Sequence, residues 1–533
     1  MTSPRTALRL SAVLAPLAAA LAACGGGDGT TTPPPPPPPA ERPSLPQTYR
    51  PSGHMAAGDV FVHLFEWRWP DVATECETVL GPAGVKAVQV SPPQEHSVQS
   101  SHTWSQRYQP VSYSVARSRS GTGAEFADMV ARCGAAGVGI YVDAVINHMT
   151  NVPDPGVGSA GTAYTKYSYP GLYAPGDFHT PCSITSYASP ANVQDCELFG
   201  LPDLNTGSPT VRAKIAEYLV RLSRTGVAGF RIDAAKHMQQ AELDSIVGLV
   251  ERTLVGEGRP RPYWFAEVVD YGGEGVGKRD YFGLAYRSGG SADITEFVFK
   301  GVADKFTRLG GQRISQLNPN GPAGSQFSPA AWGIIPADKA VVFLQNHDTQ
   351  RDGGIGWRDG DVFRLANVWM LAQPYGYPSI LSGYAFPPGP AGREMGPPSN
   401  AAGETDPVSC APSWAAADDG DWVCEHRDPA ILAMVRFRRV AAGTDVAAWW
   451  DDGAHAIAFS RGSRAFVAIN RGDGPVAATV PTPLAPGTYC DVLTGGRAGA
   501  ACAGTTVVVS PAGTVAVALE ANRAVAIHLE SRL

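Results

Sequence analysis

Three apolar, β-prone runs in this chain stop abruptly at a carboxylate set among His, Lys, Arg or Asn. They are Gly229-Phe230-Arg231-Ile232-Asp233-Ala234-Ala235-Lys236-His237, Trp264-Phe265-Ala266-Glu267-Val268 and Phe343-Leu344-Gln345-Asn346-His347-Asp348. Strands buried on both faces read as such runs, and a parallel barrel presents functional side chains from its strand ends. The pattern repeats: strands are expected at 59–65, 85–90, 139–145, 229–232, 263–266, 293–299, 340–344 and near 377–381, with helices between them. Eight such units predict an α/β chain built on a (β/α)8 TIM barrel.

The helices carry their own signals. Val72, Cys76, Val79 and Leu80 fall on one face of the first, with Gly81 as its expected stop. Thr122-Gly123-Ala124-Glu125 spells a capping box opening a helix whose apolar face holds Phe126, Met129, Val130 and Cys133. Ser208-Pro209 starts another, with Val211, Ile215, Tyr218, Leu219 and Leu222 inward and Gly226 at its end. From about 150 to 205 the alternation fails, and a structureless stretch of that length is better read as a small inserted domain. From 441 to 533 short alternating runs separated by turn residues predict an antiparallel β-sandwich.

Arg5 and Arg9 precede an apolar stretch ending in Leu21-Ala22-Ala23-Cys24, too short to span a membrane, so residues 1–24 read as an export signal. Leu-Ala-Ala-Cys resembles a bacterial lipobox, which implies acylation of Cys24 and a lipid anchor at the cell surface or in the periplasm; the alternative is an ordinary signal peptide and a secreted protein. Residues 25–54, with Pro33 to Pro39, form an extended tether. Of nine cysteines, eight remain after Cys24; many connectivities are open, and local pairing favours Cys182–Cys196, Cys410–Cys424 and Cys490–Cys502, leaving Cys76 with Cys133. Charged residues are only 17% of the chain and the net charge is −7 without a basic run, which argues against nucleic acid.

Carboxyls at successive barrel mouths suit glycosidic bond cleavage, which needs a nucleophile and a proton donor on opposite sides of a sugar. Arg231, two residues before Asp233 on the same side of the strand, is expected to keep Asp233 ionised. Tyr263-Trp264-Phe265 is expected to give Glu267 an aromatic setting that raises its pKa. Asp348, beside His347, is placed to bind sugar hydroxyls.

Asp143-Ala144-Val145-Ile146-Asn147-His148 and the three runs above resemble the four signature regions of the α-amylase family. His63-Leu64-Phe65-Glu66-Trp67, Gln89-Val90-Ser91-Pro92-Pro93 and Arg107-Tyr108-Gln109-Pro110 are similar to its animal-type members. The resemblance covers about residues 55–533, giving barrel parts 55–149 and 206–440, a calcium-binding insert 150–205 and the sandwich. It implies endo-hydrolysis of α-1,4-glucosidic bonds in starch, glycogen and malto-oligosaccharides with retention, by a monomer. Asp233 is then the nucleophile, Glu267 the acid/base and Asp348 the transition-state stabiliser, with Trp104, Tyr108, Gln109, His148, Arg231, Lys236, His237 and His347 lining subsites. Ser105 departs from a tryptophan common in animal-type members. Asn147, Asp203 and the carbonyls of Gln194 and His237 are implied Ca²⁺ ligands. Chloride is not expected, because Ser379 stands where a basic residue would join Arg231 and Asn346. Two other readings remain at this stage: a glucan-capturing surface lipoprotein without catalysis, and a transglycosylating or α-1,6-acting relative.

Overall fold

The computed structural model describes residues 50–282, 292–322 and 326–533. The export segment, Cys24 and the tether up to residue 49 lie outside them. Eight parallel strands close into a barrel in sequential order: β1 Phe61–Leu64, β2 Ala87–Val90, β3 Gly139–Ala144, β4 Gly229–Ile232, β5 Tyr263–Ala266, β6 Ala292–Thr295, β7 Ala340–Val342 and β8 Tyr377–Ser382. Most of these residues are buried because helices cover the outside and side chains fill the inside.

At the floor, Phe61, Tyr141, Phe265, Val341 and Tyr377 form an apolar layer joined by Tyr263. His54 stacks on Tyr377 at 4.3 Å and meets Tyr263 edge-on at 4.6 Å. Below it, Asp293 Oδ2 accepts from Ser52 Oγ at 2.7 Å and Tyr263 OH at 2.9 Å, with Lys339 Nζ 3.9 Å from Oδ1.

The capping box forms as read, with Thr122 and Glu125 each accepting from the other's N–H, and it opens a helix over Gly123–Ala135. Phe126, Met129, Val130 and Cys133 are buried. The helix after β1 corrects the sequence reading. Trp69–Glu75 passes into a wider turn at Cys76–Leu80 and continues through Gly81–Ala83, stopping at Gly84, whose φ is 77°. Gly81 is helical; a Cβ there would meet Ala136 O at 2.7 Å, so this glycine admits a neighbouring helix end rather than ending its own. β6 is also shorter than expected. The Glu296 carboxylate accepts the Val298 N–H at 3.0 Å and turns 297–300 out of the ladder.

Between β3 and the helix Pro209–Arg224, the insert folds around Tyr164, Tyr169, Tyr173 and Phe178, with a small Gly156–Val157/Ala163–Tyr164 hairpin. Glu95, in the loop after β2, holds that hairpin. Its carboxylate accepts from Ala160 N and Thr162 N at 3.0 Å, Thr162 Oγ1 at 2.8 Å and Ser112 Oγ at 2.6 Å.

The C-terminal strands are β9 Val446–Asp451, β10 Ala456–Arg461, β11 Ala465–Asn470, β12 Val476–Pro481, β13 Gly487–Cys490, β14 Thr506–Val509, β15 Thr514–Leu519 and β16 Arg523–His528. They form two antiparallel sheets, ordered β9-β10-β11-β16 and β12-β15-β14-β13. Disulfides join Cys76–Cys133, Cys182–Cys196, Cys410–Cys424 and Cys490–Cys502. Among the described residues no helix is long and apolar enough to cross a membrane.

Candidate active site

Strand register assembles the mouth of the barrel. Asp143 on β3 is the register partner of Arg231 on β4, which is the partner of Phe265 on β5. Side chains alternate along a strand, so Asp233 and Glu267 rise one layer above Arg231 and Phe265. The ladder continues to carry them: Asp233 N donates to Ala144 O at 3.1 Å and Glu267 N to Ile232 O at 2.9 Å.

Arg231 lies beneath all of them. Its Nη1 is 2.5 Å from Asp143 Oδ1 and 2.9 Å from Asp233 Oδ1, while Nη2 stands 3.0 Å from Glu267 Oε1. The gap between Asp233 and Glu267 is therefore set by the width of one guanidinium and its two contacts. Ala234, held at φ 50°, turns its N–H onto Glu267 Oε2 at 2.8 Å. This left-handed alanine is strained, and the strain serves to fix the second carboxyl against the first.

Opposing influences act on Asp233. Burial pushes the Asp233 carboxyl well above the usual range, and the charges of Glu267 and Asp143 push the same way; Arg231 opposes them but does not prevail. Burial also raises Asp143, and partial desolvation at the rim, with the charge of Glu267, raises the half-exposed Asp348 to about 7. One guanidinium is shared among several acids. The surrounding histidines do not help, because burial lowers His63 to about 3, His148 to about 4 and His347 well below its normal value. Asp143, Asp233 and Asp348 are thus shifted in the same direction as a coupled set.

One correction concerns Glu267. Trp264 turns outward to Glu251, with Nε1 3.0 Å from Oε1, and packs on Phe230. Phe265 and Tyr263, one and two layers deeper, share the face of Glu267. Its polar partners are Arg231 and the Ala234 N–H.

A cleft of about 900 Å³ opens above these groups. Asp233, Glu267, Asp348, Trp104, Tyr108, Gln109, His148, Lys236, His237 and His347 all line it, whereas Arg231 acts from below. Tyr108 gives its hydroxyl to Asp143 at 2.9 Å and stacks on His347 at 5.0 Å; His347 in turn stacks on Phe65 at 5.1 Å. Trp104 meets Tyr108 edge-on at 5.8 Å, with Arg351 over its ring at 5.2 Å. Gln109 accepts from Thr150 Oγ1 at 3.0 Å. Lys236 donates to Val269 O at 2.7 Å and pairs with Glu274. Ser105, also in the wall, donates to Glu394 at 2.7 Å. Sequence reasoning missed Arg351, Glu274, Tyr271 and Phe199, all cleft residues; loop positions carry no periodic signal.

The expected cation ligands sit where insert and barrel meet. Asn147 O accepts Leu204 N at 3.0 Å, and Asp203 Oδ2 is 2.7 Å from His179 Nδ1. His237 Nδ1 lies 2.9 Å from Val193 O, beside Gln194. Burial raises the Asp203 carboxyl to about 7 despite His179. A buried acid among amide and peptide oxygens fits a hard cation. Among the described residues no group of three or more His, Cys, Asp or Glu side chains forms such a site, so the fit rests on carbonyls.

The α-amylase catalytic-domain profile matches residues 80–252, and the profile of the α-amylase C-terminal all-beta domain matches 449–530. An α-amylase of Tenebrio molitor is 39% identical over 482 residues, 89% of this chain and 97% of that protein. The chain belongs to the α-amylase family. It is also 42% identical to an α-amylase of Streptomyces violaceus, over 89% of this chain and 74% of that one. Among solved structures, α-amylase I of Eisenia fetida, as a Glu-to-Gln variant with maltohexaose, shares 37% identity at a TM-score of 0.78, covering 88% of this chain and 97% of that chain. Membership makes this chain a glycoside hydrolase with the family's barrel and C-terminal β domain.

Proposed function

We propose that this chain hydrolyses internal α-1,4-glucosidic bonds of starch, glycogen and malto-oligosaccharides with retention of configuration. The observation that carries the reading is the single guanidinium spanning Asp233 and Glu267 at the base of an open cleft. In retaining enzymes the two carboxyls stand about 5–5.5 Å apart, a spacing that one bridging guanidinium suits. Glu267 gives a proton to the glycosidic oxygen as that bond breaks. Asp233 Oδ attacks the anomeric carbon and forms a glycosyl ester. Glu267, now ionised, takes a proton from water, whose oxygen displaces Asp233 and yields the α-anomer. Asp348 binds sugar hydroxyls and strengthens its hold as the ring flattens.

An anomer-resolved digest tests this. Wild type releases α-anomers first and Asp233→Asn releases almost nothing; β-anomers, or wild-type turnover by the variant, would overturn it. The same digest is expected to run equally fast with and without chloride, given Ser379.

Asn147, Asp203 and the carbonyls of Gln194 and His237 would hold Ca²⁺, which would join insert to barrel. Chelation is expected to lower the thermal midpoint, and added Ca²⁺ to restore it; a midpoint indifferent to both refutes the site. Export with a lipid on Cys24, a monomeric state and domain limits at 55–149, 150–205, 206–440 and 441–533 complete the reading. The even set of disulfides supports the export.

A further inference from the structure

Phe199 is 88% exposed, against 62% for Leu309, the next most exposed large apolar residue among those described. A phenylalanine left in water forfeits its burial. Its backbone adds a second cost, for φ 52° and ψ 28° lie in the left-handed region that non-glycine residues avoid. Neighbours hold it there: Asn151 Nδ2 donates to Gly200 O at 2.9 Å, and Lys166 Nζ pairs with Glu197 at 3.1 Å. Strained backbone of this kind clusters at active sites and ligand clamps. Phe199 also lines the same cleft as Asp233 and Glu267.

We infer that Phe199 is a sugar-stacking platform, an added binding subsite on the insert that takes the flat C–H face of a glucosyl unit distant from the bond being cut. The inference rests on the α-1,4-glucan reading. A pyranose has apolar faces that an aromatic ring can cover while the hydroxyls stay solvated. Only chains long enough to span from the acids to the insert would gain from it.

The test compares maltoheptaose with maltotetraose on wild type, Phe199→Gly, Phe199→Leu and Phe199→Trp. Phe199→Gly is expected to raise KM for maltoheptaose about three- to tenfold and to move that for maltotetraose less than about twofold. Its thermal midpoint should hold or rise, since glycine relieves the backbone. Tryptophan should restore affinity and leucine should not. Equal KM changes for both substrates, or none, would overturn the platform. Titration of maltoheptaose into Glu267→Gln protein, with and without Phe199→Gly, reads the platform without turnover. An inactive wild type would sink the hydrolase reading, and equal affinities in this titration would sink the platform.

Discussion

The two ends of the barrel treat buried acids differently. At the floor one carboxylate, Asp293, meets Lys339 and two hydroxyls. At the mouth Asp143, Asp233 and Glu267 draw on a single guanidinium, with Asp348 close by. Burial raises the carboxyls of both Asp293 and Asp233. Only at the mouth do neighbouring acids add to that, leaving a demand for protons unmet by fixed charge. The floor is arranged for cohesion, and the mouth keeps protons available for chemistry at a cost in stability.

Glu267→Gln attacks the mouth and should show the largest effect, a fall in kcat of about 10²–10⁴-fold with an unchanged thermal midpoint. Asp293→Ala should show the reverse: near-normal kcat and a loss of about 1–3 kcal/mol in denaturant titration, because Tyr263 and Ser52 lose a buried acceptor. If both variants moved the same observable, the contrast would be broken.

The smallest effect sharpens it. The Asp348 carboxyl rises to about 7 in the fold from about 4 in an open chain. The folded state therefore binds the extra proton, and this contribution to stability is full below about pH 4 and lost as pH climbs through about 7. Asp348→Asn should raise the melting temperature by about one or two degrees above pH 7, with the gain fading toward pH 4. The rise is small because the side chain keeps 42% exposure and solvent moderates the charge. A lower melting temperature at pH 8 would contradict the picture.

Barrel, sandwich and the strand-end acids were legible because each is written in local pattern: period-two runs, helix stripes, a capping box. Sequence falls short where several elements converge. Arg231 stands two residues from Asp233 in the chain, but the other carboxylates that dilute its charge arrive from β3 and β5. The tryptophan beside Glu267 is equally near in sequence, yet alternation points it to the helix layer. Gly81 looks like a stop until Ala136 is seen against it. Phe199 had no signature, since exposure and backbone sign are properties of the folded loop.

Glu95 reaches further than its position suggests. It rivets the hairpin to the loop after β2, and the Lys166–Glu197 pair just beyond ties in the segment bearing Phe199, an arrangement that favours a mould over a jaw. A long glucan would then be measured by how many fixed shelves it can rest on at once.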